Sequence, residues 1–275
     1  SQTDISARKK AEQHLQHAAR HDPLTGLANR MRLDEQLQQA LLRQGKVGAR
    51  EAALLFIDLD RFKPVNDTYG HETGDAVLIE VAQRLTGLLR ETDLVCRQGG
   101  DEFVILLTGL NDVRTAANAV AQQCLTAVSK PFEFAGEKLE LGMSIGIAAH
   151  TGPAITASYL IAQADIAMYH AKMRGRNRYY WFEHSMESEL RFRSELEAGI
   201  RRGIPAGEFV PYYEKQIDLA SGEIVGFEML ARWNSPSLGL VSPDLFIPVA
   251  EEIGVIADLS ESVIRQALLD ARHWN

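Results

Sequence analysis

The sequence predicts an α/β (α+β) fold, a mixed central β-sheet flanked by helices, followed by a smaller and incomplete strand-and-helix unit. Three observations carry this. Helix-period and strand-like segments alternate between Met31 and Phe182. Two strand-like runs, Asp93 to Gln98 and Glu102 to Leu107, are joined through Gly99-Gly100, a pair suited to a hairpin turn because glycine accepts positive φ at no steric cost. New strand-like runs begin near Phe209, after a charged helical segment, and fill only the remainder of the chain.

The elements follow in order. Ser1 to Arg20 is polar, with Ala11, Leu15 and Ala18 spaced as one helical stripe, which a short coiled coil or a solvated helix would satisfy equally. Asp22-Pro23-Leu24-Thr25-Gly26 breaks that helix, since Pro23 disfavours helical geometry at Asp22. Met31 to Gln44 repeats Leu33, Leu37, Ala40 and Leu41 on one helical face. Ala52 to Ile57 is a short apolar run of buried-strand character, and it ends in Asp58-Leu59-Asp60. Thr73 to Leu89 is the next helix, ahead of the hairpin. Val113 to Ser129 reads as helix, Pro131 to Phe134 and Leu139 to Ala149 as strands, Ser158 to Met173 as helix and Asn177 to Phe182 as a final strand. Glu183 to Arg202 is helical and is closed by Pro205-Ala206-Gly207. Phe209 to Ile217 and Glu223 to Ala231 read as strands, and Pro243 to Asn275 as loop followed by helix. The expected organisation is a linking helix over 1–20, a domain over 21–182, a linking helix over 183–207 and a fragment over 208–275.

Composition excludes several classes. Apolar residues make up 45% and charged residues 24%, the proportions of a globular chain rather than a disordered or fibrous one. No apolar run reaches the roughly 20 residues of a membrane span, and no signal-peptide core is present, so a cytoplasmic location without membrane contact is expected. Thirty-seven acidic against 29 basic residues give a net charge of −8, which opposes binding to nucleic acid polymers. Cys96 and Cys124 have no metal or redox spacing and read as buried thiols.

Asp58 ends an apolar strand and Asp101 follows a Gly-Gly turn, so two carboxylates can meet at one edge of a sheet. Mg²⁺ commonly takes one or two carboxylates together with substrate phosphates, so the pair fits a nucleoside triphosphate site. Taken singly, each acid is as consistent with an ordinary turn residue.

The segments Phe56 to Asp75, Arg97 to Phe103, Asp22 to Arg30 and Ala164 to Asn177 together resemble the GGDEF family of diguanylate cyclases over roughly residues 20 to 182. The resemblance implies a nucleotidyl-cyclase-like fold. It also implies a homodimer that condenses two GTP into cyclic di-GMP and two pyrophosphates. By position, Asp58, Asp101 and the Leu59 carbonyl match the family's ligands for Mg²⁺ or Mn²⁺, and Asp58, Asp101 and Glu102 its catalytic acids. Asn66 and Asp75 match its guanine readers; Lys63, Lys172 and Arg176 match its phosphate contacts; Gly99 and Gly100 let backbone approach the nucleotide. A carboxylate can accept from guanine's N1 and N2 hydrogens, although an acid early in a helix is also favoured by the helix dipole. Arg90 and Asp93 match the Arg-x-x-Asp site through which product inhibits enzymes of this family.

The flanks carry shorter resemblances. Thr3 to Glu12 resembles the exit of a PAS sensor domain, which implies an upstream sensor. Val225 to Trp233 with Ser242 to Glu252 resembles the start of an EAL cyclic di-GMP phosphodiesterase, a (β/α) barrel, and Glu228 matches its metal-ligating Glu. The middle residue of that motif is Met229 here, and phosphodiesterase activity is not expected from so short a piece. The alternatives to a cyclase are a catalytically silent GTP-binding module that regulates an attached phosphodiesterase, and a relay whose output is dimerisation.

Overall fold

A computed structural model describes residues 19–44, 51–134, 136–150 and 155–273. The expected helix over 1–20, with its PAS-exit resemblance, lies almost wholly outside them. The chain divides into two compact units, one ending at Met186 and one beginning at Glu187.

The first unit is a five-stranded sheet covered by helices on both faces. Its elements are α1 (Arg30–Gln44), β1 (Glu51–Asp60), α2 (Phe62–Tyr69), α3 (His71–Thr86), β2 (Leu94–Gly99), β3 (Glu102–Leu110) and α4 (Val113–Val128), followed by β4 (Phe132–Phe134), β5 (Glu137–Leu139), β6 (Gly142–Ala149), α5 (Ala157–Met173) and β7 (Arg178–Trp181). The strand order is β2-β3-β1-β6-β7, antiparallel throughout except for the parallel pair β6–β7, while β4 and β5 form a separate hairpin.

β1 is the third of the five strands and is buried on both faces. Its side chains alternate with period two. Ala53, Leu55, Ile57 and Leu59 join the core under α3 and α4, whereas Ala52, Leu54 and Phe56 join the core under α1 and α5. Asp58 and Asp60 continue the second set, so the face that packs α5 also carries the acids at the end of the strand. α5 sits unusually close to the sheet. A Cβ on Gly146 of β6 would lie 1.9 Å from the Ala164 carbonyl oxygen and 2.1 Å from the Met168 nitrogen, so only glycine fits beneath this helix.

Several elements depart from expectation. α2 was unmarked by apolar periodicity. It begins at Arg61, whose φ of 57° starts the helix from a left-handed residue, and it accepts Pro64 at its third position, where a backbone donor has no helical partner anyway. The strand expected over Leu139 to Ala149 is interrupted at Glu140 and Leu141. The hairpin loop is Gly100-Asp101, because Gly99 still pairs with Glu102.

The second unit contains most of α6 (His184–Ala206), then β8 (Phe209–Ile217), β9 (Ile224–Ser235), β10 (Gly239–Val241), α7 (Pro243–Glu252) and α8 (Ile256–Ala271). Its sheet is antiparallel in the order β10-β9-β8, and no barrel closes among the described residues. α6 runs through Pro205 rather than stopping before it. Leu196 and Ile200 of this helix, expected to be only a linker, lie in one core with Phe209, Trp233 and Phe246. Pro243 opens a helix instead of lying in a loop, consistent with proline's fitness for a first helical position. No helix among the described residues is long and apolar enough to cross a membrane.

Gly146→Ala is expected to destabilise the first unit by about 3 kcal/mol, the upper end of overpacking costs, because the added methyl meets backbone atoms that cannot rotate away. Urea unfolding measures it. A loss below about 1 kcal/mol would show that α5 is free to lift from β6.

Candidate functional site

Asp58 and the turn that carries Asp101 lie together at the end of the central strand. Asp58 and Glu102 are direct cross-strand partners in the β1–β3 register, and the Leu59 N–H donates to the Asp101 carbonyl at 3.3 Å. The hairpin turn is thereby tied to the strand beside it. Lys172, in the last turn of α5, places its Nζ 2.7 Å from Asp58 Oδ2.

The hairpin turn is held from its other side as well. Arg97 donates through Nε and a terminal nitrogen to the Gly100 carbonyl, at 3.0 and 2.7 Å, and through its remaining nitrogen to both oxygens of Asp22, at 3.1 and 3.2 Å. Asp22 also accepts from the Thr25 N–H and hydroxyl. Burial pushes the Asp22 carboxyl up, but the bonds from Thr25 and Arg97 outweigh it and hold it below the ordinary carboxylate value. One guanidinium therefore locks the Asp22-to-Gly26 turn to the loop that carries Asp101. The local half of this device is legible in Asp22-Pro23-Leu24-Thr25, an Asx-turn pattern; the partner 75 positions away is not.

Three acids are crowded here. Burial raises the Asp58 carboxyl above its ordinary value, and Asp101 and Asp60 add repulsion that Lys172 only partly offsets. Burial also raises Glu102, with Asp165, Asp58 and Asp101 adding to the shift. Asp165, missed from sequence, lies seven residues before Lys172, two turns along one face of α5, and burial raises it as well. Such a cluster favours binding a cation. Among the described residues no three His, Cys, Asp or Glu side chains form a metal cage by themselves. The pair Asp58 and Asp101 suits a hard cation that completes its shell with phosphate oxygens and water, so the donor set fits Mg²⁺ or Mn²⁺.

Asn66 and Asp75 lie on consecutive helices that touch. A Cβ on Gly74 would fall 1.9 Å from Asn66 Oδ1, so the glycine that precedes Asp75 lets the Asn66 side chain of α2 pack directly against α3. Lys63 is exposed on the first turn of α2, and Gly99 and Gly100, at φ 147° and 52°, are exposed with open space around them. Arg176 follows α5 in a left-handed turn, φ 57°, beside an open cleft of about 820 Å³.

Arg90 and Asp93 stand apart, at the opposite end of β2 from the hairpin loop. The Asp93 carboxylate accepts the Arg90 and Thr108 N–H groups, both at 3.3 Å, so it already braces the turn, whereas Arg90 is exposed. A cavity of about 490 Å³ adjoins this turn, lined by Glu91, Thr92, Leu94 and Thr108 together with Gln36 and Gln39 of α1. Glu228 lies in the second unit, exposed on β9 opposite Glu214.

Residues 19–178 match the family described as diguanylate cyclase, GGDEF domain, and residues 197–275 match the EAL domain. The chain is 39% identical over 267 residues to the bifunctional diguanylate cyclase/cyclic di-GMP phosphodiesterase MucR of Pseudomonas aeruginosa, covering 96% of this chain and 38% of that protein. It thus spans little more than a third of that relative. Among solved structures, the isolated GGDEF domain of TpbB (YfiN) from Pseudomonas aeruginosa aligns with a TM-score of 0.59 at 38% identity, over 62% of this chain and 99% of that one. The coiled coil and GGDEF domain of DgcB from Caulobacter crescentus, solved with cyclic di-GMP, aligns at 0.58 with 28% identity, over 66% of this chain and 94% of that one.

Because the folded pKa of Glu102 is raised, the contribution of this group to stability is greatest below the ordinary Glu value and falls as pH rises through the folded value. Without metal or nucleotide, Glu102→Gln is therefore expected to be more stable than wild type at pH 7. The advantage should be about 0.5 kcal/mol or less because Glu102 is partly solvated, and it should vanish near pH 4. Paired urea titrations at the two pH values test this, and an advantage independent of pH would refute it.

Proposed function

The chain belongs to the GGDEF diguanylate cyclase family, with the start of an EAL domain behind it, and we propose that its first unit condenses two GTP into cyclic di-GMP and two pyrophosphates. The observation that carries this reading is the convergence of Asp58, the Asp101 turn and Lys172 at the end of β1.

In this reading Asp58, Asp101 and the Leu59 carbonyl would hold Mg²⁺ or Mn²⁺, which when bound neutralises phosphate charge and acidifies the attacking hydroxyl. Lys172 and Arg176 bind the phosphates, with Lys63 beside them, and the side-chain-free Gly99-Gly100 segment admits the nucleotide. Asn66 and Asp75 select guanine, since adenine would leave their polar groups facing like partners. Glu102 accepts the proton of the 3′-hydroxyl as it attacks the α-phosphate of the other nucleotide. Its raised pKa suits it to that role, because a base is most effective when its pKa approaches the working pH. Each half-site holds one nucleotide, so two chains must face one another. Arg90 offers a planar fork for product outside the reacting centre, and the cyclic di-GMP complex of DgcB supports a product-binding role in a related domain. An upstream sensor and an attached phosphodiesterase belong to this proposal for the whole protein.

Chromatography of nucleotides after incubation with GTP and Mg²⁺ tests it. Wild type is expected to yield cyclic di-GMP, and Asp58→Asn and Asp101→Asn to fall at least about 100-fold while keeping wild-type circular dichroism, as a misplaced reacting group typically does. Arg90→Ala should keep the initial rate and lose inhibition by added product. GTP binding without any product would instead support a silent regulatory module.

A further inference from the structure

Asp60, at the same end of β1 as Asp58, is left unused by the proposed chemistry, and it is buried, at 7% exposure. It shares a strand face with Asp58, yet its oxygens are committed elsewhere. Oδ1 accepts the Ser144 hydroxyl at 2.7 Å, and Oδ2 accepts the Asn177 N–H at 2.9 Å. Gly142 leaves room for this arrangement, since a Cβ there would lie 3.0 Å from Asp60 Oδ2 and 3.2 Å from Asn177 Oδ1.

Asn177 is the second of two successive non-glycine residues in the left-handed region, Arg176 at φ 57° and Asn177 at φ 48°. Backbone in that region persists only where its surroundings over-determine it. Two bonds do so here. The Arg176 N–H is held by the Ala171 carbonyl at 3.1 Å, which ties the turn to the end of α5, and the Asn177 N–H is held by Asp60, which ties it to β1. The Arg176 side chain, pinned on both sides through its backbone, has no hydrogen bond or ion pair among the described residues and borders the open cleft.

We propose that Asp60 is a positioning residue. Through the Asn177 amide it sets the turn that presents the Arg176 guanidinium to the phosphates of the nucleotide. The inference rests on the nucleotide reading given above. It separates two acids two positions apart on one strand face, Asp58 paired with the Lys172 ammonium and Asp60 spent on the backbone of a distant turn.

The test is a double-mutant cycle on GTP affinity, measured by calorimetry in Ca²⁺ with Asp60→Ala, Asp60→Asn, Arg176→Ala and the double variant Asp60→Ala/Arg176→Ala. Asp60→Ala is expected to weaken GTP about 10-fold, in line with the sensitivity of binding geometry to small displacements, and to raise exchange at the Asn177 amide. Asp60→Asn should restore affinity to within about 2-fold, because its amide can donate to Ser144 while its oxygen still accepts from Asn177. In the Arg176→Ala background the Asp60→Ala change should add less than about 2-fold, the non-additivity of residues acting as one unit. If Asp60→Ala does not fold, Ser144→Ala removes one brace of the carboxylate and should weaken GTP about 3-fold with the same dependence on Arg176. Additive losses, or unchanged GTP affinity in a folded Asp60→Ala, overturn the role of Asp60 alone. A wild type that binds no GTP overturns the nucleotide reading and this role with it.

Discussion

The seating of α5 on the central sheet governs the rest of the site. Period-two alternation along β1 sends Leu54, Phe56, Asp58 and Asp60 to one face, and Gly146 lets α5 lie against that face at backbone contact. The strand runs apolar until it emerges from beneath the helix and then turns acidic. The helix ends at the same level with Lys172 and the Arg176 turn. Packing that buries methyl groups farther down thus brings a carboxylate and an ammonium together at the end of β1, and displacement of α5 would separate them.

Electrostatics then favours a cation at this rim. Burial pushes Asp58, Glu102 and Asp165 all up, neighbouring acids add to the shift at Asp58 and Glu102, and Lys172 is the counter-charge. The neighbouring turn is secured differently. Arg97 clasps the Gly100 carbonyl through two nitrogens and both Asp22 oxygens through the third, so the Asp101 loop is held by a charge pair outside the crowded centre. Restraint and reactivity are placed on separate residues. Asp60 repeats the pattern, bracing a backbone while Asp58, two positions before it, is met by the Lys172 side chain.

Much of this was legible in the sequence because it is local. The apolar run into Asp58, the Gly-Gly hairpin, the stripe of α1 and the alternation of helical with strand-like segments are short-range patterns, and the resemblance of the motifs to a known family supplied the roles that patterns alone could not. What escaped is long-range or contrary to propensity. The partners of Asp60 lie 84 and 117 positions away, and those of Arg97 span 75, distances at which no periodicity speaks. α2 is polar and short, with a left-handed start, so it carries no apolar stripe. α6 is expected to be only a linker, yet Leu196 and Ile200 are held in a core with Trp233, a tertiary pairing that its local pattern does not reveal.

In the proposed function β1, α2, α3, the Asp101 loop and the end of α5 form one guanine nucleotide site. Hydrogen exchange of the purified protein in Ca²⁺, with and without GTP and with ATP as the control nucleotide, tests it most directly. The account predicts that GTP slows exchange together in peptides covering residues 58–66, 71–76, 97–102 and 172–177, and that ATP at the same concentration does not. Protection confined to one of these segments, or equal protection by both nucleotides, would contradict it.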